Sequence, residues 1–487
     1  MDEDKKRELV RYINAKIAQA PAFSESRIYA NNKQLPHRNA FFKLQKYAES
    51  FINEEKGSAE RRIIILPGLR GVGKTTILLQ LYNFLTKNKG LKEEKVIYFS
   101  TDELKDFMGS SISEMLNVFF DEVIKTSPVF LKEKLFILID EAHFDENWDR
   151  TAKVISDQSK NIFLAITGSS ALSMEISPDL ARRSLKEKVF PLNFPEYLLL
   201  KYGLEISEIS ELIKSLIFSP SDAIIKEISR KEMEIIKLSS KIKKDIHHEF
   251  LSFISFNDMP FSLDFEEKEV YERIISMIDR VIEKDIFSVY SFKSESQEVI
   301  KRIIYFLASQ SPGGTSDAKL AKHLETSSKQ IRGILNILEK TQLIFSIKPY
   351  AGAGKLVRKP WKYYFLSPSI NSAIRFKLGS FDRNNHEMFG VLVENLVASY
   401  FIRMKETFNK PTGIFYDSDD GGVDFLIQDS KENIIPVEVG YGSKDGSQVK
   451  KAIKKFNSKY GIVICKCQTI KKEDNIIYIP ITTFSFV

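Results

Sequence analysis

The sequence predicts an α/β chain of several domains, and three observations predict it. Apolar strand-like runs alternate with helical patterns across residues 61–200: Ile63–Leu66, Val96–Phe99, Leu135–Ile139 and Ile162–Ile166. Such alternation is the pattern of a largely parallel sheet with crossover helices. A glycine-rich loop, Gly68-Leu69-Arg70-Gly71-Val72-Gly73-Lys74-Thr75, falls between the first run and the helical pattern Thr76–Tyr82. Strand signals vanish over 201–295 and return further on, and a length of 487 residues is enough for several bodies.

In chain order, residues 1–60 read as a helical segment, with Leu9, Ile13 and Ile17 at helical spacing. The loop at 68–75 fits G-x-x-x-x-G-K-[ST], and its setting gives the pattern meaning. A strand, a glycine loop and a helix N-terminus together form an anion site, because backbone N–H groups converge on phosphates and the helix dipole adds positive potential. Lys74 then reaches the β- and γ-phosphates of ATP, and the Thr75 hydroxyl ligates Mg2+. Gly68, Leu69, Arg70, Gly71, Val72, Gly73, Lys74, Thr75 and Thr76 are thus the expected phosphate cradle of a P-loop core over 61–200. The run Leu135–Ile139 ends in two carboxylates. Asp140 is placed to bind Mg2+ through its water shell, and Glu141 to orient or deprotonate an attacking water. The run Ile162–Ile166 ends in Thr167-Gly168-Ser169-Ser170. Thr167 and Ser169 are equally readable as hydroxyls beside the γ-phosphate or as caps of the next helix. Arg182 and Arg183 are candidates for a catalytic arginine aimed at the γ-phosphate of the same subunit or a neighbour. The other reading gives them a carboxylate partner or an open surface.

Over 201–295, Ile225, Ile228, Ile235, Leu238 and Ile242 recur near helical spacing between lysines and glutamates, as in a helical lid or a linking bundle. Residues 296–370 read as a helix-turn-helix unit with a wing. Its helices are Val299–Ala308, Ala318–Leu324 and Gln330–Lys340, the third capped within Thr326-Ser327-Ser328. Strand patterns Leu343–Lys348 and Lys362–Leu366 flank Ala351-Gly352-Ala353-Gly354-Lys355. Lys329, Gln330, Arg332 and Asn336 can face a DNA major groove, while Lys355, Arg358 and Lys359 can reach phosphates. The alternative is a spacer packed on the core. Residues 371–487 return to mixed α/β, with a helix around Val391–Phe401 and strands at Val423–Ile427, Ile435–Val439, Gly461–Cys465 and Ile476–Ile479.

Composition bounds the partners. A formal charge of +7, spread among many carboxylates, permits nucleic acid without demanding it. Two cysteines, Cys465 and Cys467, lie in one run and cannot staple distant parts of a fold, so a reducing, cytoplasmic setting is expected. The histidines show no zinc spacing, and no apolar run approaches the length of a membrane span.

Several motifs in a fixed order carry a resemblance: Gly68–Thr76, Asp140-Glu141-Ala142-His143, Trp148, Thr167–Ser170, Pro191-Leu192-Asn193-Phe194-Pro195-Glu196-Tyr197, Asp258-Met259-Pro260, Val281–Ile286 and Val423-Asp424-Phe425. The chain resembles prokaryotic AAA-type ATPases, related to the STAND NTPases, that carry a winged helix and a C-terminal restriction-endonuclease-like domain. The resemblance implies an extra strand between the loop-bearing strand and the Asp-Glu strand, a helical lid, and self-association into a homo-oligomer. For the C-terminal domain it implies a Mg2+-holding set of an acidic helix residue, an Asp and a Glu-x-Lys. Glu394, Asp424 and Glu438 match the carboxylates, but Gly440 stands where the lysine belongs. Lys444, Lys450, Lys451 and Lys454 are lysines close by in sequence.

Three functions compete on these grounds. One is an ATP-hydrolysing switch or motor on DNA. Another is an ATP-gated, Mg2+-dependent nuclease acting in defence, which Gly440 counts against. The last is an ATP-dependent signalling scaffold that captures a protein partner through its C-terminal modules.

Overall fold

The computed structural model describes residues 2–30, 32–57, 60–169, 176–206, 208–241, 243–287, 295–351, 359–407, 412–429 and 433–487. Ser170, Ile242, Lys355 and Arg358 therefore lie outside the described residues. The chain divides into two compact units, 1–189 and 190–487, so the segment 61–200 expected from the sequence crosses the boundary between them.

The first unit opens with the helix Glu3–Ile28, whose N-terminal donors are met by Asp2 accepting from the Lys5 N–H. A minimal hairpin, β1 (Tyr29–Ala30) and β2 (Lys33–Gln34), leads to the helix Asn39–Ile52. The remaining strands are β3 (Ile63–Pro67), β4 (Val96–Ser100), β5 (Leu135–Asp140), β6 (Ile162–Gly168) and β7 (Leu185–Lys186). They form one parallel sheet in the order β4-β5-β6-β3-β7. Every residue of β3, β5 and β6 is buried, as expected for parallel strands covered on both faces. β6 lies between β3 and β5, so the extra strand that the resemblance implies is present. Leu9 and Ile13 of the first helix join Ile97, Phe99, Ile137 and Ile139 in a single core.

The second unit starts with helices Phe194–Tyr202, Ile209–Phe218, Asp222–Lys241, Ile246–Phe256 and Glu267–Arg280. Helices Glu295–Ser309, Asp317–His323 and Ser328–Lys340 follow, and Ser327 caps the last of them by accepting from the Gln330 N–H, as its sequence predicts. Next come β8 (Ile344–Pro349), β9 (Lys362–Phe365) and the helices Pro368–Lys377 and His386–Thr407. The last elements are β10 (Gly413–Tyr416), β11 (Phe425–Gln428), β12 (Ile434–Val439), the helix Ser447–Phe456, β13 (Gly461–Cys465), β14 (Lys471–Glu473) and β15 (Ile476–Pro480).

Here the structure adds something the sequence did not show. The β8–β9 hairpin does not stand apart from the C-terminal strands. β8 pairs in parallel with β10, and one eight-stranded sheet runs β14-β15-β13-β12-β11-β10-β8-β9. The open edge of β9 is closed by a side chain: the Asn395 amide accepts from the Phe365 N–H (3.1 Å) and donates to the Phe365 carbonyl (2.7 Å). An exposed strand edge invites unwanted pairing, and an amide that imitates a neighbouring strand removes that edge.

Asp258 sits at the heart of this unit. It is fully buried and accepts from the Ser367 hydroxyl at 2.7 Å, while its carbonyl accepts from the Leu192 N–H at 2.7 Å. Burial pushes its carboxyl up to about 6, and hydroxyls of Ser367 and Ser369 pull it back only in part. A raised folded-state value means that Asp258 stabilises the fold most when protonated. That contribution is lost as pH climbs from the ordinary carboxylate range through about 6, and is on the order of 3 kcal/mol. The Asp258→Asn variant removes this slope. Its thermal-unfolding midpoint relative to wild type should therefore rise between pH 4.5 and pH 7.5 (about three units, spanning the titration). A pH-independent difference would show that Asp258 does not titrate there.

Candidate functional site

The site is built where β3, β5 and β6 end side by side. The loop after β3 turns on Gly71 and Gly73, both in left-handed backbone (φ 87° and 89°) that side chains other than glycine rarely adopt. Gly68 is fixed for a different reason. A Cβ there would come 2.5 Å from the Val189 carbonyl oxygen. Helix Lys74–Asn83 begins directly after Gly73, and among the described residues no side chain caps its first turn. Its leading N–H groups are left to an anion. Arg38, which the sequence reading missed, braces the loop by donating to the Val72 carbonyl at 2.5 Å. Leu69 and Val72 pack into the core, while Arg70, Thr75 and Thr76 remain partly accessible.

Lys74 is buried and donates to the Gly68 and Leu69 carbonyls at 3.1 and 3.3 Å, so its ammonium lies along the loop that would hold the phosphates. Asp140, the last residue of β5, carries a fully buried carboxylate. Thr75 Oγ1 donates to its Oδ2 at 2.7 Å, Tyr98 Oη donates to Oδ2 at 3.2 Å, and Thr167 Oγ1 donates to Oδ1. Burial and the neighbouring Glu141 push the Asp140 carboxyl up, while Thr167, Thr75 and Lys74 oppose them. Thr167 also accepts from the Glu141 N–H at 3.1 Å, which ties the ends of β5 and β6 together. Glu141 sits in left-handed backbone (φ 52°), a strained position for a side-chain-bearing residue. Its Oε2 lies 3.3 Å from His143 Nδ1. The Ser169 N–H donates to that same Nδ1 at 3.2 Å, and Ser169 Oγ is buried with no hydrogen-bond partner among the described residues.

The donor set suits Mg2+: a hydroxyl and a carboxylate, both hard oxygen ligands, meet at the end of the phosphate cradle. Thr75 and Asp140 would hold the ion. Arg182 and Arg183 follow the short helix Pro178–Ala181 and pair with Asp179 and Asp157 respectively. The Arg182 side chain is 77% exposed.

In the second unit, Lys329, Gln330 and Asn336 are exposed on their helix, but Arg332 is committed elsewhere. Its Nε donates to Asp317 Oδ2 at 2.6 Å, and its guanidinium stacks on Trp361 at 4.4 Å. Gln330 accepts from Thr326 Oγ1 at 2.7 Å. Glu394, Asp424 and Glu438 come together from a helix, the approach to β11, and β12, but two lysines reach them. Lys362 Nζ lies 3.2 Å from Glu394 Oε1 and 3.8 Å from Asp424 Oδ1, and Lys444 Nζ donates to Glu438 Oε1 at 2.8 Å. Among the described residues, no group of three or more His, Cys, Asp or Glu side chains is arranged to hold a metal ion. The carboxylates expected to bind Mg2+ in this domain therefore do not fit one as they stand. No local signal marked Lys362, which stands on β9, 32 residues from Glu394.

The fold and the site define residues 60–198 as a P-loop AAA-type ATPase domain, and the family described as an AAA domain matches those residues. Two domains of unknown function match further on, DUF8612 over 259–380 and DUF4143 over 389–484. The chain belongs to the family of the uncharacterized protein MJ1637 of Methanocaldococcus jannaschii, with 32% identity over 469 residues, 96% of this chain and 92% of that protein. It is also similar to the uncharacterized protein MJ1544 of the same organism, 26% identical over 77% of this chain and 74% of that one. A solved structure, the Walker-type ATPase PABY2304 of Pyrococcus abyssi, aligns over 72% of this chain and 97% of its own with 12% identity and a TM-score of 0.38. Among the described residues no helix is long and apolar enough to cross a membrane.

The hydroxyls around Asp140 make a direct prediction. Thr167→Val keeps shape and removes a donor to a buried carboxylate. It should cost about 1–3 kcal/mol in denaturant unfolding, and Thr167→Ser, which keeps the hydroxyl, should cost less. An equal loss in both variants would mean that Thr167 acts only through packing.

Proposed function

We propose that the chain binds and hydrolyses ATP and couples the resulting change of state to DNA, as a switch or motor. One observation carries the hydrolytic part. Glu141 directly follows, in strained backbone, an Asp140 that Thr75, Tyr98 and Thr167 already satisfy, which supports its reading as a second carboxylate of the site. A site that only held nucleotide would need Lys74, Thr75 and Asp140 but no second carboxylate.

In this reading the N–H groups of 70–76 and the Lys74 ammonium bind and orient the phosphates. Mg2+, when bound with ATP, neutralises charge on the transferred phosphoryl group. Glu141 accepts a proton from, or aligns, the attacking water. Thr167 holds the Glu141 backbone in place through its hydroxyl. Arg182 and Arg183 would serve a γ-phosphate after release from Asp179 and Asp157, as expected if a neighbouring subunit completes the site. For DNA, Lys329 on the third helix of the 295–340 region and Lys450, Lys451 and Lys454 on the helix Ser447–Phe456 offer exposed ammonium groups to phosphates.

Phosphate release with and without duplex DNA tests both halves. Glu141→Gln should lower turnover by about 10²-fold or more while ATP still binds, and DNA should change the wild-type rate in a manner that weakens as salt rises. Wild-type turnover in the variant would remove the hydrolytic reading. A DNA-indifferent rate together with no salt-sensitive DNA binding would remove the DNA reading alone.

A further inference from the structure

Three carboxylates, Glu438 buried and Glu394 and Asp424 largely so, stand close enough to repel one another, and something must compensate them. Burial and the Asp424 charge push Glu394 and Glu438 each up to about 7, and Asp424 is raised by its own burial. The compensation comes from two ammonium groups on different elements. Lys362 begins β9 and is paired in the ladder with Ile347, so its Cα is fixed. Its side chain is only 11% exposed, and its Nζ stands between Glu394 Oε1 and Asp424 Oδ1, 5.4 Å from the centre of the Tyr416 ring. Burial lowers its affinity for a proton, but Glu394 and Asp424 more than offset that, and Lys362 is held as a cation. Tyr364, two residues on, donates to the same Glu394 oxygen at 2.7 Å.

Lys444 supplies the second charge by a route that needs a glycine. A Cβ at position 440 would meet Lys444 Cε at 2.4 Å and its Cγ and Cδ at 3.2 and 3.3 Å. The lysine stem thus lies across Gly440, in the space a side chain there would fill, and delivers its Nζ to Glu438. The other Glu438 oxygen, Oε2, is buried and has no hydrogen-bond partner among the described residues. Two ammonium groups face three carboxylates, and one ligand oxygen is left open.

We propose that the ammonium groups of Lys362 and Lys444 replace the divalent cation in this carboxylate cluster. Lys362 fills the gap between Glu394 and Asp424, so the wild-type domain takes no divalent cation there, and removing Lys362 opens a divalent-cation site made of Glu394, Asp424 and the free oxygen of Glu438. A cation entering beside Lys362 would meet a like charge in a poorly solvated place, and the lysine is anchored in its ladder. This inference is independent of the ATPase reading.

Mn2+ titration of the nucleotide-free full chain, followed by calorimetry and by the electron paramagnetic resonance signal of free Mn2+, tests it. Lys362→Met should gain one Mn2+ equivalent bound at least about tenfold more tightly than any wild-type site, and Lys362→Met/Asp424→Asn should lose it. Mn2+ should also raise the thermal midpoint of the single variant selectively. A folded Lys362→Met chain that binds no more Mn2+ than wild type overturns the proposal. So does a wild-type Mn2+ site that Asp424→Asn abolishes, a measurement that does not depend on how well the Lys362 variant folds.

Discussion

The buried carboxylate of Asp140 is the constraint around which the first unit is arranged. An anion at the end of a central strand, cut off from water, survives only with donors around it. Thr75 from the cradle helix, Tyr98 from β4 and Thr167 from β6 each send a hydroxyl to it. Those contacts fix the relative heights at which β4, β5 and β6 end, and they set the first turn of the helix that follows the glycine loop. The same contacts leave Glu141 outside the cluster, in strained backbone, with its carboxylate beside His143.

The second unit solves a similar problem with different means. Its buried acids come from three elements, and hydroxyl donors are too few to hold them. Only Tyr364 contributes one among the described residues; the Val439 N–H donates to Asp424 at 2.8 Å, and two lysines supply the charge. Lys362 also explains why the β8–β9 hairpin belongs to the C-terminal sheet. The hairpin brings a cation that the acidic cluster needs, and Asn395 closes its outer edge. Residues 296–370 and the α/β region that follows, which look separable along the chain, share one charge balance and one sheet.

Much of the first unit is legible in the sequence because its signals are local. Four long apolar runs become β3, β4, β5 and β6, each extended by one or two residues, and the glycine loop and Asp140-Glu141 fall at their ends. What is not legible depends on distant contacts. β7 is two residues long and carries no apolar run. Helix Pro368–Lys377 has no apolar run to announce it, yet Ser367, Ser369, Asn371 and Ser372 are buried, and the Ser367 hydroxyl donates to Asp258. Arg38 and Lys362 matter through partners 34 and 32 residues away, and nothing in their neighbourhoods announces it. The absence of a lysine at 440 was visible, but its meaning was not. Only the path of Lys444 across that glycine shows why position 440 is empty.

The central claim, that Asp140 and Thr75 form one oxygen cluster prepared for a cation that arrives with ATP, is tested most directly by the Mg2+ dependence of nucleotide affinity. ATP binding to the wild-type chain should tighten by at least about tenfold when Mg2+ is added. Thr75→Val and Asp140→Asn should each lose that increment while keeping their Mg2+-free affinity within a few-fold of wild type, since Lys74 and the loop N–H groups are untouched. Retention of the full Mg2+ increment in both variants would contradict the account.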